Sequence, residues 1–387
     1  MWKWLTYILA FTSNINLLLG AGFSYGIADT LGDTEKILEA IHLYGKDNDY
    51  AAIEAYMFWE FFLKTIYPLC DKVNDINVLN QIEFIRLWKN ILTDRESAVI
   101  NKQANIFTTN YDIVLEYAFE SIFLDYNDGF KGRITPYFST TNFNRLYYER
   151  AIFTNRCIEI PIVNLLKLHG SVTWKISEGK HRKIVYSEYL KNIQEFHDKY
   201  EGFVSGYGKE VFDSIELKFL FENYSSGYGK CELDDVLPEG AELIKDKCLE
   251  FIDDFKSSFK IVNPTKQKFN DTLMDKNYYE LMRIYCNELE KNNTILFAQG
   301  FSFDDEHIQE ITMRALGNPS LTLIVVAFNK KDVEKYNDKF GKFDNVWIVR
   351  NDDPTEEALA DGKEEKFLDI SVLNQYLKDL FGECHDE

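Results

Sequence analysis

Closely spaced cysteine pairs are missing from this chain. Its six cysteines, Cys70, Cys157, Cys231, Cys248, Cys286 and Cys384, form no CxxC. That excludes a zinc ribbon and a dense disulfide scaffold, and leaves reduced, mostly buried thiols in a cytoplasmic protein as the expectation. The six histidines are scattered, with no HExxH and no His-rich tract, so no metal site is expected. Basic charge is also short: 43 Lys and Arg against 63 Asp and Glu give a net charge of −20. Phosphate binding needs a basic surface, so nucleic acid is not an expected partner. No stretch reaches the roughly 18 apolar residues that span a bilayer, so no membrane partner is expected either. Met1 to Trp4 followed by Leu5 to Phe11 looks superficially like a leader. It carries one Lys, a short apolar stretch and no A-x-A site, so secretion is not expected.

What is present is globular composition: 387 residues, 45% hydrophobic, 27% charged and 15% aromatic. The length fits one large domain or two ordinary ones with a ring-rich core. Short apolar strands are predicted at Asn14 to Gly20, Ala104 to Thr108, Ile162 to Leu168, Thr294 to Ala298, Leu321 to Phe328 and Val346 to Val349. Three-to-four spacing predicts helices over 34–103 and near Asp112 to Phe123, Asp305 to Leu316 and Lys331 to Phe340. Strands that are apolar on both faces and alternate with helices give the expected fold class, α/β. The expected architecture is a Rossmann-like, doubly wound parallel sheet. A core of 1–174 plus 293–350 is expected to carry a helical insertion at 175–292, with an acidic loop and C-terminal helix over 351–387. Ser205-Gly-Tyr-Gly-Lys209 recurs as Ser226-Gly-Tyr-Gly-Lys230. Neither copy has the glycine spacing or the following Ser/Thr of a phosphate loop, so both are read as turns.

Four motifs sit after four of the predicted strands. Gly20-Ala21-Gly22-Phe23-Ser24 offers small residues that let a backbone approach a pyrophosphate, followed by a helix start. It does not meet GxGxxG, and a glycine turn ending a strand is common. Thr108-Thr109-Asn110-Tyr111-Asp112 reads either as a helix N-cap or as a donor–acceptor amide at the sheet's carboxyl edge. Leu168-His169-Gly170-Ser171 places an imidazole at a strand end, suited to general-base work near neutral pH, although a lone His is more often structural. In Gly300-Phe301-Ser302-Phe303-Asp304-Asp305, the serine and acidic pair either cap the next helix or accept from ribose hydroxyls. A doubly wound sheet assembles one site from strand-end segments of this kind.

In this order, GAGFS, TTNYD, LHGS and GFSFDD resemble the sirtuin superfamily, and more closely its prokaryotic sirtuin-like antiphage NAD-hydrolysing branch. Asp128-Gly129-Phe130 and Asn263-Pro264-Thr265-Lys266 are similar to that branch too. The resemblance implies NAD+ as substrate. Gly20, Ala21, Gly22 and Ser24 would line its diphosphate and ribose, with Phe23 by the nicotinamide end. Asn110 and Asp112 would hold the nicotinamide side, with Thr109 beside them. His169 would be the catalytic base, partnered in catalysis by Asn110. Gly300 and Ser302 would meet the adenosine half, with Asp305 as a further nucleotide contact. The four-cysteine zinc module of deacylases is missing, and Gly26-Ile27-Ala28-Asp29 stands where they carry Pro-Asp-Phe-Arg. NAD+ hydrolysis to ADP-ribose and nicotinamide is therefore the expected activity, with antiphage defence by NAD+ depletion as its setting. Such an activity needs regulation, and the resemblance implies a homo-oligomer and a HerA-type hexameric ATPase partner. The rivals are an NAD-dependent deacylase or ADP-ribosyltransferase, and a nucleotide-sensing regulatory subunit of a defence complex.

Overall fold

The computed structural model describes residues 11–28, 37–38, 41, 50–74, 77–96, 100–150, 152–153, 157–177, 183–213, 240–261, 276–351 and 367–381. The leader-like segment, much of the expected helical run over 34–50, the second SGYGK copy, Asn263 to Lys266 and nearly all of the acidic loop lie outside these residues.

The described strands, in chain order, are β1 (Asn14–Leu19), β2 (Gln103–Thr108), β3 (Tyr126–Asn127), β4 (Phe130–Lys131), β5 (Tyr137–Phe138), β6 (Tyr148–Arg150), β7 (Cys157–Glu159), β8 (Ile162–Lys167), β9 (Trp174–Ile176), β10 (Ile184–Tyr186), β11 (Thr294–Gln299), β12 (Leu321–Val326) and β13 (Val346–Val349). Seven of them form one sheet in the order β13-β12-β11-β1-β2-β8-β3. Every pairing in it is parallel. The chain enters at the centre with β1, builds one half through β2, β8 and β3, then crosses to build the other through β11, β12 and β13. This is the mixed α/β, Rossmann-like arrangement that the alternating pattern predicts. A smaller antiparallel sheet, β4-β5-β10-β9, stands beside it.

Both faces of the large sheet are covered, which explains why its strands are nearly unbroken apolar runs. Ile15, Leu17, Leu19 and Ile106 face the Leu79–Asp94, Val114–Ser121 and Ile370–Phe381 helices. Leu18, Phe107, Leu166 and Leu296 face the Lys276–Leu289, Glu306–Ala315 and Lys330–Phe340 helices. The Lys276–Leu289 helix falls in the stretch expected to be an insertion, yet it packs on the sheet through Leu281, Tyr285 and Leu289. A third core joins the Ala51–Phe61, Tyr189–Gly202 and Ala241–Ser258 helices through rings such as Phe58 and Phe255, whose centroids are 4.9 Å apart. That core reaches the main sheet through Tyr111, Ile113 and Val172. Ser205, Gly206 and Tyr207 of the first SGYGK copy lie in a wide helical turn over Phe203–Tyr207 and Gly208 is a turn residue; the Gly208 N–H donates to the Phe203 carbonyl at 2.8 Å and Phe203 packs on Phe212.

One polar row interrupts the apolar sheet. Asn16, Asn105, Asn164 and Asn127 occupy matched positions on β1, β2, β8 and β3. Their amides bond in series: Asn105 donates to Asn16 at 2.9 Å, Asn164 to Asn105 at 2.8 Å and Asn127 to Asn164 at 3.1 Å. A slip in register would break every link, so the row helps hold the half of the sheet that carries Asn110 and His169.

Candidate active site

The site begins where β1 ends. Ala21–Phe23 make a single tight helical turn. The Gly20 N–H donates to the Gln299 carbonyl at 3.1 Å and the Gly22 N–H to the Gly300 carbonyl at 2.9 Å. A side chain on Gly20 would lie 2.4 Å from the Gly300 oxygen, and one on Gly22 would lie 2.7 Å from the Gly300 Cα. Gly300 itself has φ +63°, and its missing side chain would lie 2.4 Å from the Phe23 nitrogen. The glycines of two separate motifs are therefore required by their contact with each other. Ala21 and Gly22 are exposed at the rim, while Ser24 is buried. The Phe23 ring is turned into the core against Phe84 at 5.5 Å, so only its backbone belongs to the turn.

β2 lies beside β1 and ends in Thr108, whose hydroxyl donates to the Leu19 carbonyl at 2.8 Å. The Asn110 N–H then donates to the Thr108 hydroxyl oxygen at 3.0 Å. This turn aims the Asn110 amide at the glycine turn. Its Nδ2 donates to the Gly20 carbonyl at 2.9 Å and to the Ser24 hydroxyl oxygen at 3.0 Å. Both amide hydrogens are thus spent on architecture, and Oδ1 is the atom left to meet a ligand. Thr109 is half-buried beside it. Asp112 accepts at 3.0 Å from the N–H of Val114, the first residue of the helix that follows. Its carbonyl accepts from the buried Lys167 ammonium, which also pairs with Glu116 at 2.8 Å. Burial pushes the Glu116 carboxyl up against the pull of Lys167.

His169 follows β8, the next strand. Thr108 and Lys167 are register partners, so Asn110 and His169 lie at matching positions beyond neighbouring strand ends. The Leu168 N–H donates to the Thr108 carbonyl at 2.8 Å and fixes that relation. Gly170, at φ +85°, has the Lys260 oxygen 2.2 Å from where a Cβ would sit, so no side chain fits behind the imidazole. His169 is buried, with the Tyr111 ring centroid 6.4 Å from its own. Its Nε2 lies 3.2 Å from Asp305 Oδ2.

Asp305 comes from beyond β11, on the other side of β1. Its Oδ1 accepts from the Ile308 N–H at 3.2 Å and caps the Glu306–Ala315 helix. The carboxylate therefore joins a helix start to the imidazole. β8 and β11 are separated by β2 and β1, about 14 Å at the usual strand spacing. The contact between their loops passes over the ends of β1 and β2, where Asn110 and Ser24 lie. The pairing of Asp305 with His169 carried no signal in chain spacing. Ser302 is exposed, and its hydroxyl oxygen accepts from the Asp304 N–H at 3.4 Å. Asp304 turns away to Lys335 at 2.7 Å and Lys339 at 3.2 Å. Asn110, His169, Gly20, Ser24, Gly300 and Asp305 are thus brought to one edge, whereas Asp304 and the Phe23 ring are directed elsewhere.

Among the described residues, no group of three or more His, Cys, Asp or Glu is arranged to hold a metal ion. No helix among them is long and apolar enough to cross a membrane. Residues 104–225 match the family model of a SIR2-like domain. That match begins in β2 and runs past the Tyr189–Gly202 helix, including Asn110 and His169, and for this segment supports a sirtuin-like family and NAD-related activity. A search of curated proteins gives no match.

Proposed function

We propose that the chain is an NAD+ hydrolase that cleaves NAD+ to ADP-ribose and nicotinamide. The observation that carries the reading is the matched placement of Asn110 and His169 on neighbouring strand ends, within the segment that matches a SIR2-like domain. The fit to a dinucleotide rests on chemistry present at that edge. An exposed glycine turn follows a parallel strand. An amide oxygen is left over after both amide hydrogens are used. A buried imidazole has one nitrogen 3.2 Å from a carboxylate oxygen.

The ribose–nicotinamide bond needs no strong acid, because the ring leaves as a neutral base and takes the bonding pair with it. Positive charge develops at the anomeric carbon, as in other glycosidic cleavages. Water bonds to that carbon through its oxygen, and its proton passes to His169. Asn110 Oδ1 orients the water or a ribose hydroxyl. A neutral imidazole with its proton on Nε2, the nitrogen 3.2 Å from Asp305 Oδ2, carries on Nδ1 the lone pair that receives the proton. A general base so placed contributes about 10²–10⁴-fold.

Incubating purified protein with NAD+ and following nicotinamide by chromatography tests the reading. Wild type should release nicotinamide, and His169→Ala and Asn110→Ala should each be slower by about 10²-fold or more. Unchanged turnover in both variants refutes the assignment. We place the activity in antiphage defence through NAD+ depletion, held in check by self-association and a HerA-type ATPase partner. A pull-down from the native host that finds neither a second copy nor an ATPase counts against that regulation.

A further inference from the structure

We propose that Asp305 is the positioning residue of His169, holding the imidazole in the tautomer that leaves Nδ1 bare. The inference rests on the hydrolase reading for its catalytic consequence, but not for the pairing itself. The sequence reads Asp305 as a helix cap or a nucleotide contact. In the structure its Oδ2 lies 3.2 Å from His169 Nε2, with the two side chains only 13% and 10% exposed. A carboxylate oxygen can only accept, so a neutral imidazole that bonds to it does so with its proton on Nε2 and its lone pair on Nδ1.

The carboxylate is itself held in place. Its other oxygen caps the Glu306–Ala315 helix through the Ile308 N–H at 3.2 Å. Capping alone needs no contact with a residue beyond β8, so the reach to His169 is a second task for one side chain. That second task has two effects. It fixes the ring's rotation, and it stabilises the imidazolium formed when the water proton arrives. The element order explains how the pair arises. The chain must place β11 and β8 on opposite sides of β1 and β2 before their loops can meet over the strand ends.

Asp305→Ser separates the two tasks, because Ser is as good an N-cap as Asp but too short to reach the imidazole. We expect Asp305→Ser to keep its melting midpoint within about 2 °C of wild type. Its kcat for NAD+ should fall by about 10²-fold, the usual cost of a misplaced catalytic group, while KM changes little. Asp305→Asn, which keeps an acceptor oxygen in the same place, should recover part of that loss. The double variant His169→Ala/Asp305→Ser should be no slower than His169→Ala alone. A rise in KM with kcat retained, or a further loss in the double variant, would mean that Asp305 meets the nucleotide directly and would overturn the proposal. A readout independent of turnover is the ¹⁵N spectrum of the histidine side chains, with His169 assigned by its disappearance in His169→Ala. Wild type should show a single Nε2–H tautomer that becomes mixed in Asp305→Ser. A wild-type Nδ1–H tautomer, or no change in the variant, overturns the pairing. Absence of NAD+ turnover in wild type sinks the hydrolase reading, and the spectrum then decides the pairing alone.

Discussion

Gly300→Ala tests whether contact between the two glycine motifs is what holds the site together. The position has φ +63°, and an L-residue with a side chain loses about 1–2 kcal/mol there. The new Cβ would also sit 2.4 Å from the Phe23 nitrogen, 2.6 Å from the Gly22 carbonyl carbon and 2.8 Å from the Gly22 Cα. All three are backbone atoms, so no side chain can swing aside. Moving the Gly20–Ser24 turn would strain the Gly22-to-Gly300 bond at 2.9 Å and the Gly20-to-Gln299 bond at 3.1 Å. It would also strain the Asn110-to-Gly20 bond at 2.9 Å. Overpacking of this kind costs about 1–3 kcal/mol, which brings the sum to about 2–5 kcal/mol. Gly26→Ala is the control: φ is +86° but nothing lies within 4 Å of its Cβ position, so it bears the conformational cost alone. Urea unfolding followed by intrinsic fluorescence measures both. Gly300→Ala should be clearly the worse of the two, and its nicotinamide release should fall with it. Equal losses in the two variants would refute the claim that the motifs are locked by their mutual approach.

Three further outcomes follow from other parts of the fold. Asn164→Ala strips the amide row of a donor to Asn105 at 2.8 Å and an acceptor from Asn127 at 3.1 Å; the loss should be about 2–4 kcal/mol in the same unfolding assay, and less than about 1 kcal/mol would contradict it. Lys167→Met leaves the buried Glu116 carboxyl without its partner at 2.8 Å; it should cost about 3–5 kcal/mol, and adding Glu116→Leu should restore most of it. Burial works to raise the Asp304 pKa, but hydrogen bonds from Lys335 and Lys339 outweigh it and hold the carboxyl below the usual aspartate range. Its stabilisation is then present above the unfolded-state pKa and lost as pH falls through the folded value. The melting midpoints of wild type and Asp304→Asn should differ near neutral pH and converge in acid, and a gap that widens on acidification would reverse the sign of this account.

The six longer strands of the large sheet were legible because each is a run of apolar residues closed by a turn signal. Asn14–Leu19, Gln103–Thr108 and Ile162–Lys167 differ from their predicted bounds by a residue at most. β3, β4 and β5 have two residues each and β9 and β10 have three, too few for a period of two to show. The amide row was hidden for another reason. An asparagine inside a strand reads as a defect until the register of the neighbouring strands aligns it with others. The candidate site divides in the same way. Asn110 and His169 were visible, because each is a chemically distinctive residue just past a strand that stops abruptly. Their relation to Asp305 was not, since it depends on the order β8-β2-β1-β11, and many strand orders are compatible with one chain order.

The glycine-rich turn changes what a motif of this kind signifies. Small residues after β1 suggested room for a phosphate, yet the space that side chains would need at Gly20 and Gly22 is taken by the Gly300 loop. What the pattern encodes first is the approach of two strand-end loops. Any ligand contact must then come from the exposed backbone of Ala21 and Gly22 rather than from those vacated positions. The same logic applies to Asn110. Its two amide hydrogens hold Gly20 and Ser24, so truncating it disturbs the turn as well as the chemistry. Loss of activity in Asn110→Ala therefore carries less weight than the same loss in His169→Ala with folding retained, because the turn is bonded to Asn110 rather than to the imidazole. Ser24→Ala supplies the missing comparison: it removes only the acceptor at 3.0 Å and leaves Oδ1 in place. If it destabilises by about 1–2 kcal/mol while turnover per folded molecule persists, the amide oxygen rather than the turn carries Asn110's catalytic share. If turnover collapses with so small a change, Asn110 acts through the turn it supports.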